Sequence, residues 1–130
     1  LTNDILAERV IAIIGKERII FDSAEPKGIK ELRNHGVDAV GAKKGKDSIV
    51  HGIQWIQQQT VIIDRKCINA QNEYSTYKWK EDAGGAVVRS GGLPVPVDRN
   101  NHLIDATRYA YEDDSNYTVE VESAENIFYN

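Results

Sequence analysis

Cysteine is almost missing from this sequence, since Cys67 is the only one among 130 residues. A single cysteine cannot form an internal disulfide, and it excludes zinc sites built from cysteine clusters. Nothing in the sequence places a base beside Cys67, so we interpret it as a small structural side chain and not as a thiol nucleophile. This usage fits a reducing, intracellular compartment.

Long hydrophobic runs are also missing. The longest, residues 10–14, has five apolar residues, whereas a membrane-spanning helix needs about 20. The amino terminus lacks the basic segment and cleavage site of a signal peptide. We therefore expect no membrane partner. The length of 130 residues predicts a single domain over 1–130.

Basic residues are absent from the carboxyl-terminal end. Residues 112–130 contain six acidic residues and no Lys or Arg, while the whole chain has a net charge of −4. The rest of the chain is therefore mildly basic, with a net charge of about +2, which permits local contact with DNA. For the acidic tail, residues 116–130, the pattern predicts either a strand at 117–121 or disorder.

Helical and strand patterns alternate along the chain, which is typical of an α/β fold with a parallel sheet. Apolar residues three and four apart, together with residues that suit a helix start, predict five helices. These helices cover about 4–14, Pro26 to 36, Asp47 or Ser48 to 56, Asn69 to 77, and Asn100 or Asn101 to 111. Apolar and β-branched runs predict strands at 18–22, 37–40 and 60–63. Residues 77–80 and 86–88 are predicted to form a hairpin, with a Gly/Pro loop at 90–96.

Asp22 is a candidate catalytic residue because it ends a predicted buried strand. Ligand sites of open α/β sheets lie at the carboxyl ends of their strands. Glu25 follows at the mouth of the next predicted helix. The alternative interpretation is that both carboxylates only cap a helix N-terminus, where negative charge is favoured.

His102 and Asp105 are three residues apart and therefore share one face of the last predicted helix. A carboxylate and an imidazole together can ligate a divalent metal or move a proton. The alternative is a first-turn Asp beside a surface His. If a packed C-terminal helix brings Asp105 close to Asp22, the two charges need a cation between them, and Mg²⁺ or Mn²⁺ suits their hard oxygens. Two such ions about 3.5–4 Å apart hydrolyse phosphodiesters.

Three lysines, Lys43, Lys44 and Lys46, precede a predicted helix within residues 41–48 (GAKKGKDS). The segment departs from the phosphate-loop template, because three residues separate its glycines and Asp47 follows the last lysine. We therefore reject nucleotide binding by this motif. The lysines remain candidates for contacts with DNA phosphates, with solvated loop charge as the alternative.

Two further lysines, Lys78 and Lys80, flank Trp79 on the predicted hairpin. Interleaved basic and aromatic residues can contact DNA. A Trp on a hairpin is more often packed on the core, however, so the two lysines are the stronger DNA-binding candidates.

Four segments, taken in order, resemble the C-terminal nuclease domain of phage terminase large subunits. They are residues 21–27 (FDSAEPK), 36–48 (GVDAVGAKKGKDS), 69–80 (NAQNEYSTYKWK) and 101–110 (NHLIDATRYA). The first resembles the second acidic motif of that family and the last resembles its third. The middle two are similar to its strand with a lysine-rich loop and to its helix leading into a β-hairpin.

The resemblance implies a ribonuclease H-like fold of the integrase and resolvase group. This is a mostly parallel sheet flanked by helices, with a β-hairpin before the last helix. It also implies that Asp22 and Asp105 bind metal, in the form of two Mg²⁺ or Mn²⁺ ions, and that His102 assists catalysis beside them. Glu25 would support the metal ligands without binding the metal itself, and the loop lysines would face DNA.

The family's earlier strand with another essential Asp has no counterpart here, since the chain opens on a helix. We expect a piece of a longer protein that lacks the first strands and has weak or no activity alone. The resemblance implies double-stranded DNA as substrate and an ATPase domain, a portal protein and a small terminase subunit as partners of the parent protein. The implied location is the cytoplasm of a bacterial host cell.

Two alternative functions remain open from the sequence. One is a non-catalytic module that binds DNA or the portal ring, in which the acidic residues are only structural. The other is a different ribonuclease H-like nuclease, such as a resolvase.

Overall fold

In the computed structural model, which describes residues 1–43, 45, 47–114 and 127–128, the chain divides into a first unit, Leu1–Lys44, and a second unit, Gly45–Asn130. Each unit has its own hydrophobic core. The prediction of one domain over 1–130 stays a prediction. The tail strand predicted at 117–121 lies outside the described residues.

The first unit is a pair of parallel strands with two helices. Its elements are α1 (Asn3–Ile14), β1 (Ile19–Phe21), α2 (Pro26–Asn34) and β2 (Ala39–Gly41). Strand β1 pairs with β2 in parallel, with Ile19 opposite Ala39 and Phe21 opposite Gly41. Parallel neighbours need a crossover connection, which α2 supplies. This order confirms the predicted helix–strand alternation.

The start and end signals of these helices behave as predicted. Pro26 opens α2, where its missing N–H costs no hydrogen bond. Gly15 follows α1 with a φ of +62°, a conformation that suits glycine, and donates its N–H to the Ile11 carbonyl. The predicted apolar stripe of α1 is only partly used, since Leu6 and Val10 pack on the core while Ile13 is 83% exposed.

The second strand begins two residues later than predicted. Val37 is buried, but its N–H bonds to the Leu32 carbonyl at the end of α2 and not to β1. The chain becomes extended and pairs with β1 only from Ala39. A buried valine beside a helix end therefore produced the same sequence pattern as a strand residue.

The described part of the second unit contains three helices and a small antiparallel sheet. Its elements are α3 (Ser48–Gln57), α4 (Ile68–Thr76), β3 (Arg89–Ser90), β4 (Leu93–Pro94) and α5 (His102–Ala110). Asp47 is the residue before α3, yet its side chain makes no cap bond. The helix predicted from Asn69 begins one residue earlier, at Ile68, and Cys67 occupies the position before it.

The predicted hairpin is confirmed and extends further than expected. Bridges join Glu81 to Val87 and Trp79 to Pro96. The predicted loop at 90–96 contains the end of β3 and all of β4, which pair with each other. Gly91 and Gly92 turn between these strands with φ of +58° and +82°, which suits a two-residue turn with positive φ at both positions. The Gly-Gly pair therefore marks a second hairpin.

The third predicted strand, residues 60–63, is wrong for the described chain. Their composition is typical of a strand, but they form no strand with any described segment. Val61 is 43% and Ile62 is 89% exposed. A strand needs a neighbour for its backbone N–H and C=O groups, and no other segment of the described second unit pairs with it. β-branched composition alone was therefore not sufficient to predict a strand in the described chain.

The core of the second unit reaches into the acidic tail. Ile127 is 2% exposed and joins a cluster with Tyr77, Trp79 and Ile104. Its N–H donates to the Tyr77 carbonyl at 2.9 Å, and its carbonyl accepts the Gln57 side-chain amide at 3.0 Å. Phe128 lies against the rings of Tyr74 and Tyr77. Across the described residues, no helix has the length and apolar character needed to cross a bilayer.

Candidate functional site

Asp22 directly follows β1, at the carboxyl end of the parallel pair, as predicted. Its side chain is exposed, and Oδ1 accepts the Ala24 N–H at 3.0 Å. This bond holds a tight turn between β1 and α2. Glu25 is the residue before α2 and is exposed, but its side chain makes no cap bond. The helix-cap interpretation therefore finds no supporting bond at Glu25.

The turn after β1 lies against the end of β2. A Cβ added at Gly41 would lie 3.2 Å from the Ser23 Cβ and 3.5 Å from a methyl of Ile29. Glycine at position 41 thus allows the turn that carries Asp22 to pass close to β2. Lys43 follows β2 on the same edge of the parallel pair and is exposed.

Asp105 and His102 lie in the first turn of α5, as predicted. His102 is exposed, and the Asp105 side chain is 28% exposed. The Asp105 N–H closes the first helical bond with the Asn101 carbonyl at 2.8 Å. Because the two residues are three apart on a helix, they share one face of its N-terminal turn.

Arg108 is the charged partner of Asp105 that the sequence reasoning missed. Its Nη2 donates to Asp105 Oδ1 at 3.0 Å, and its side chain is only 7% exposed. Gly52 on α3 makes room for it, since a Cβ there would lie 3.0 Å from the Arg108 Cδ. Within the described residues, the buried Nε of Arg108 has no hydrogen-bond partner. The i, i+3 spacing of Asp105 and Arg108 was the available signal.

Tyr77 is a second residue of this region that the sequence did not reveal. Burial raises the pKa of Tyr77 to about 12, and the nearby Asp105 charge adds to the rise. The Arg108 charge and a hydrogen bond with the Asn101 side chain act in the opposite direction. The Tyr77 hydroxyl therefore lies near the first turn of α5 and stays protonated at neutral pH.

Stability should fall at high pH because of Tyr77. Its pKa in the folded chain, about 12, lies above the ordinary value of 10.0. The unfolded chain therefore releases this proton first, so the free energy of unfolding decreases as pH rises from 10 towards 12 and is unaffected by this group below 10. We expect wild type to lose roughly 1–3 kcal/mol more than Tyr77→Phe over that range in urea unfolding. Parallel pH profiles for the two proteins would contradict this.

The predicted DNA-binding lysines have different positions. Lys80 is exposed and Lys78 is half-buried, on either side of Trp79, which is 2% exposed. Trp79 is thus a core residue, as the alternative interpretation held, and cannot stack on a base. Lys44 and Lys46 lie outside the described residues.

The candidate metal ligands are divided between the two units. Asp22 belongs to the first unit, and His102 and Asp105 belong to the second. Neither unit's described residues contain a group of three or more His, Cys, Asp or Glu side chains arranged to hold one metal ion. Convergence of Asp22 with Asp105 stays a prediction.

Known proteins resemble this chain over most of its length. Residues 2–113 match the family described as "Terminase RNAseH like domain". The terminase large subunit of Bacillus phage SPP1 is 40% identical over 101 residues, which cover 75% of this chain and 23% of that protein. The PBSX phage terminase large subunit of Bacillus subtilis (strain 168) is 29% identical over 115 residues, with 87% and 25% covered.

This chain spans about a quarter of the length of these curated relatives. No solved structure matches it at a significant level.

Proposed function

Because the chain belongs to the terminase RNase H-like domain family, we propose that it is the nuclease part of a phage DNA-packaging terminase. In this proposal it cleaves concatemeric double-stranded DNA with the help of Mg²⁺ or Mn²⁺. The observation that carries the proposal is the position of Asp105 and His102. Both side chains reach solvent from the first turn of α5, inside the segment that matches the family.

The candidate ligands fit a hard divalent cation. Oδ1 of Asp105 is bonded to Arg108, and the Asp105 side chain is 28% exposed, so a cation can approach it. The exposed carboxylate of Asp22 follows a strand end, where a cation and a phosphate can approach. Carboxylate oxygens are the ligands that Mg²⁺ and Mn²⁺ prefer. When bound, these ions would lower the pKa of a water molecule and offset charge on the leaving oxygen.

The side chains of this chain would divide the remaining work. Asp22 and Asp105 anchor the cations, and the Arg108 guanidinium keeps the Asp105 carboxylate in place. His102, three residues from Asp105, takes up or releases a proton during attack by water on the phosphodiester. Glu25, three residues after Asp22 and directly before α2, is a weaker candidate that would support the Asp22 carboxylate. Lysines contact DNA phosphates, which gives little dependence on base sequence.

The DNA-facing lysines in this proposal are Lys43, Lys44, Lys46, Lys78 and Lys80. The parent protein would also contain an ATPase domain and would work with a portal protein and a small terminase subunit, in the cytoplasm of a bacterial host. Two relatives carry the description "large subunit", which supports a role as part of a larger packaging protein.

A second candidate function is a non-catalytic module that binds DNA or the portal. The observation that favours it is the ion pair between Asp105 and Arg108. A carboxylate that already has a buried cationic partner does not need a metal ion for charge balance. The two functions predict different responses to Mn²⁺.

A Mn²⁺ titration followed by thermal unfolding tests the proposal. Ligand binding to the folded state raises its stability, so wild type should gain several degrees in Tm at saturating Mn²⁺. The double variant Asp22→Ala plus Asp105→Ala should lose that gain, whereas Asp82→Ala plus Asp114→Ala should keep it. Equal shifts in all three proteins would favour the binding module.

Nicking of supercoiled plasmid by the full-length gene product then tests the chemistry. Nicking should require Mn²⁺ or Mg²⁺ and should be absent from the double variant. An inert wild type in both metals would overturn the nuclease proposal.

A further inference from the structure

Glu73 joins α4 to the start of α5. Its side chain is 7% exposed, and its Oε2 accepts the backbone N–H of Leu103 at 2.8 Å. Leu103 is the second residue of α5. The first backbone N–H groups of a helix have no partner within the helix, so Glu73 satisfies one of them from a neighbouring helix.

The local cap that normally does this is missing. Asn101 precedes α5, but its side chain makes no cap bond with the helix, and the Tyr77 hydroxyl lies within its hydrogen-bonding reach. The carboxylate of Glu73 also lies at the positive end of the helix dipole, where a negative charge is favoured. A bond from another helix fixes more than a local cap does, because it sets the position of the α5 start relative to α4.

The turn that Glu73 holds is the one that carries the candidate catalytic residues. His102 directly precedes Leu103, and Asp105 lies two residues after it. Below this turn, Ile104 is fully buried in the core of the unit. The turn is thus held by Glu73 at its backbone and by Ile104 at its side chain, while His102 is exposed and the Asp105 side chain is 28% exposed.

We infer that Glu73 is a positioning residue, which fixes the first turn of α5 so that His102 and Asp105 are presented together. What that turn does rests on the proposed nuclease function. The positioning itself is a property of the second unit and can be tested without metal or DNA. Glu73 touches neither candidate ligand in the described hydrogen bonds, so it acts through the backbone of Leu103.

Amide hydrogen exchange of the 130-residue chain, measured by NMR in native conditions, tests this inference. Glu73→Leu removes the acceptor, and Leu103 exchange should become at least about tenfold faster, since a hydrogen bond to a charged group is worth more than the 1.4 kcal/mol that corresponds to tenfold. Glu73→Gln keeps a neutral acceptor oxygen and should restore most of the protection. Glu81→Gln, an exposed acid on the hairpin, is the matched control and should change nothing.

The same spectra distinguish a local role of Glu73 from a general destabilisation of the second unit. The resonances of His102 and Asp105 should shift in Glu73→Leu and return towards wild type in Glu73→Gln, while α3 amides keep their exchange rates. Unchanged Leu103 exchange in Glu73→Leu would overturn the inference, as would changes spread evenly over the unit. If Glu73→Leu does not fold, Glu73→Gln decides, because a neutral acceptor should still speed Leu103 exchange by a few fold.

Mn²⁺ affinity separates this inference from the proposed function. We expect binding to weaken by about tenfold in Glu73→Leu and by less in Glu73→Gln, following the loss of Leu103 protection. A wild type that does not bind Mn²⁺ would sink the nuclease proposal, while the Leu103 exchange would still decide whether Glu73 positions the turn. If Glu73→Leu loses the protection of the Leu103 amide but binds Mn²⁺ with normal affinity, the inference that Glu73 positions the candidate ligands is overturned.

Discussion

Replacing Ile127 with Ala is expected to lower the free energy of unfolding of the second unit by about 2–4 kcal/mol. Ile127 is 2% exposed and contacts the cluster that contains Tyr77, Trp79 and Ile104. Alanine removes buried methyl groups and leaves a cavity between rigid neighbours. The effect is large for a residue close to the end of an acidic tail, and urea unfolding followed by tryptophan fluorescence measures it.

Ile62→Ala is the matched control for that substitution. It makes the same chemical change at a side chain that is 89% exposed, so it should alter the free energy of unfolding by less than about 0.5 kcal/mol. Deleting residues 127–130 should destabilise at least as much as Ile127→Ala, because it also removes the backbone bonds to Tyr77 and Gln57. Equal stability of the Ile127 and Ile62 variants would show that the tail does not complete this core.

Asp105→Asn is expected to reduce metal-dependent DNA cleavage by at least about a hundredfold. Asparagine keeps the size of the side chain and an acceptor oxygen for Arg108, so the fold of α5 should be preserved. It removes the negative charge that anchors a divalent cation. Cleavage of plasmid DNA by the full-length gene product, measured at several Mn²⁺ concentrations, gives the rate and the metal dependence together.

Asp114→Asn is the control for the loss of one negative charge near α5. Asp114 is exposed and lies after the end of that helix, so its replacement should leave the cleavage rate within about twofold. High Mn²⁺ should rescue Asp105→Asn only in part, because weaker anchoring raises the concentration needed. A full rate for Asp105→Asn at every Mn²⁺ concentration would assign Asp105 to a structural role with Arg108 alone.

Local patterns predicted most of the elements in the described chain. Pro26, Gly15 and the apolar spacing of α1 set element boundaries through backbone preferences that act within a few residues. The incorrect predictions concern strands, because a segment becomes a strand only when a neighbouring segment pairs with its backbone. Residues 60–63 have strand composition, but among the described residues no strand lies beside them, and Val37 is buried without being paired. The ribonuclease H-like family, predicted from four motif segments, is confirmed by the match over residues 2–113.

The candidate site divides in the same way. The sequence by itself determined that Asp22 ends a strand and that His102 and Asp105 share a helix face, because strand ends and helical spacing follow from local periodicity. Only the tertiary structure decided that Gly52 opens a space for the Arg108 side chain, that Glu73 holds Leu103 across 30 residues of sequence, and that Ile127 closes a core. Such contacts depend on which surfaces meet after folding, and residues distant in sequence carry no spacing that reveals them.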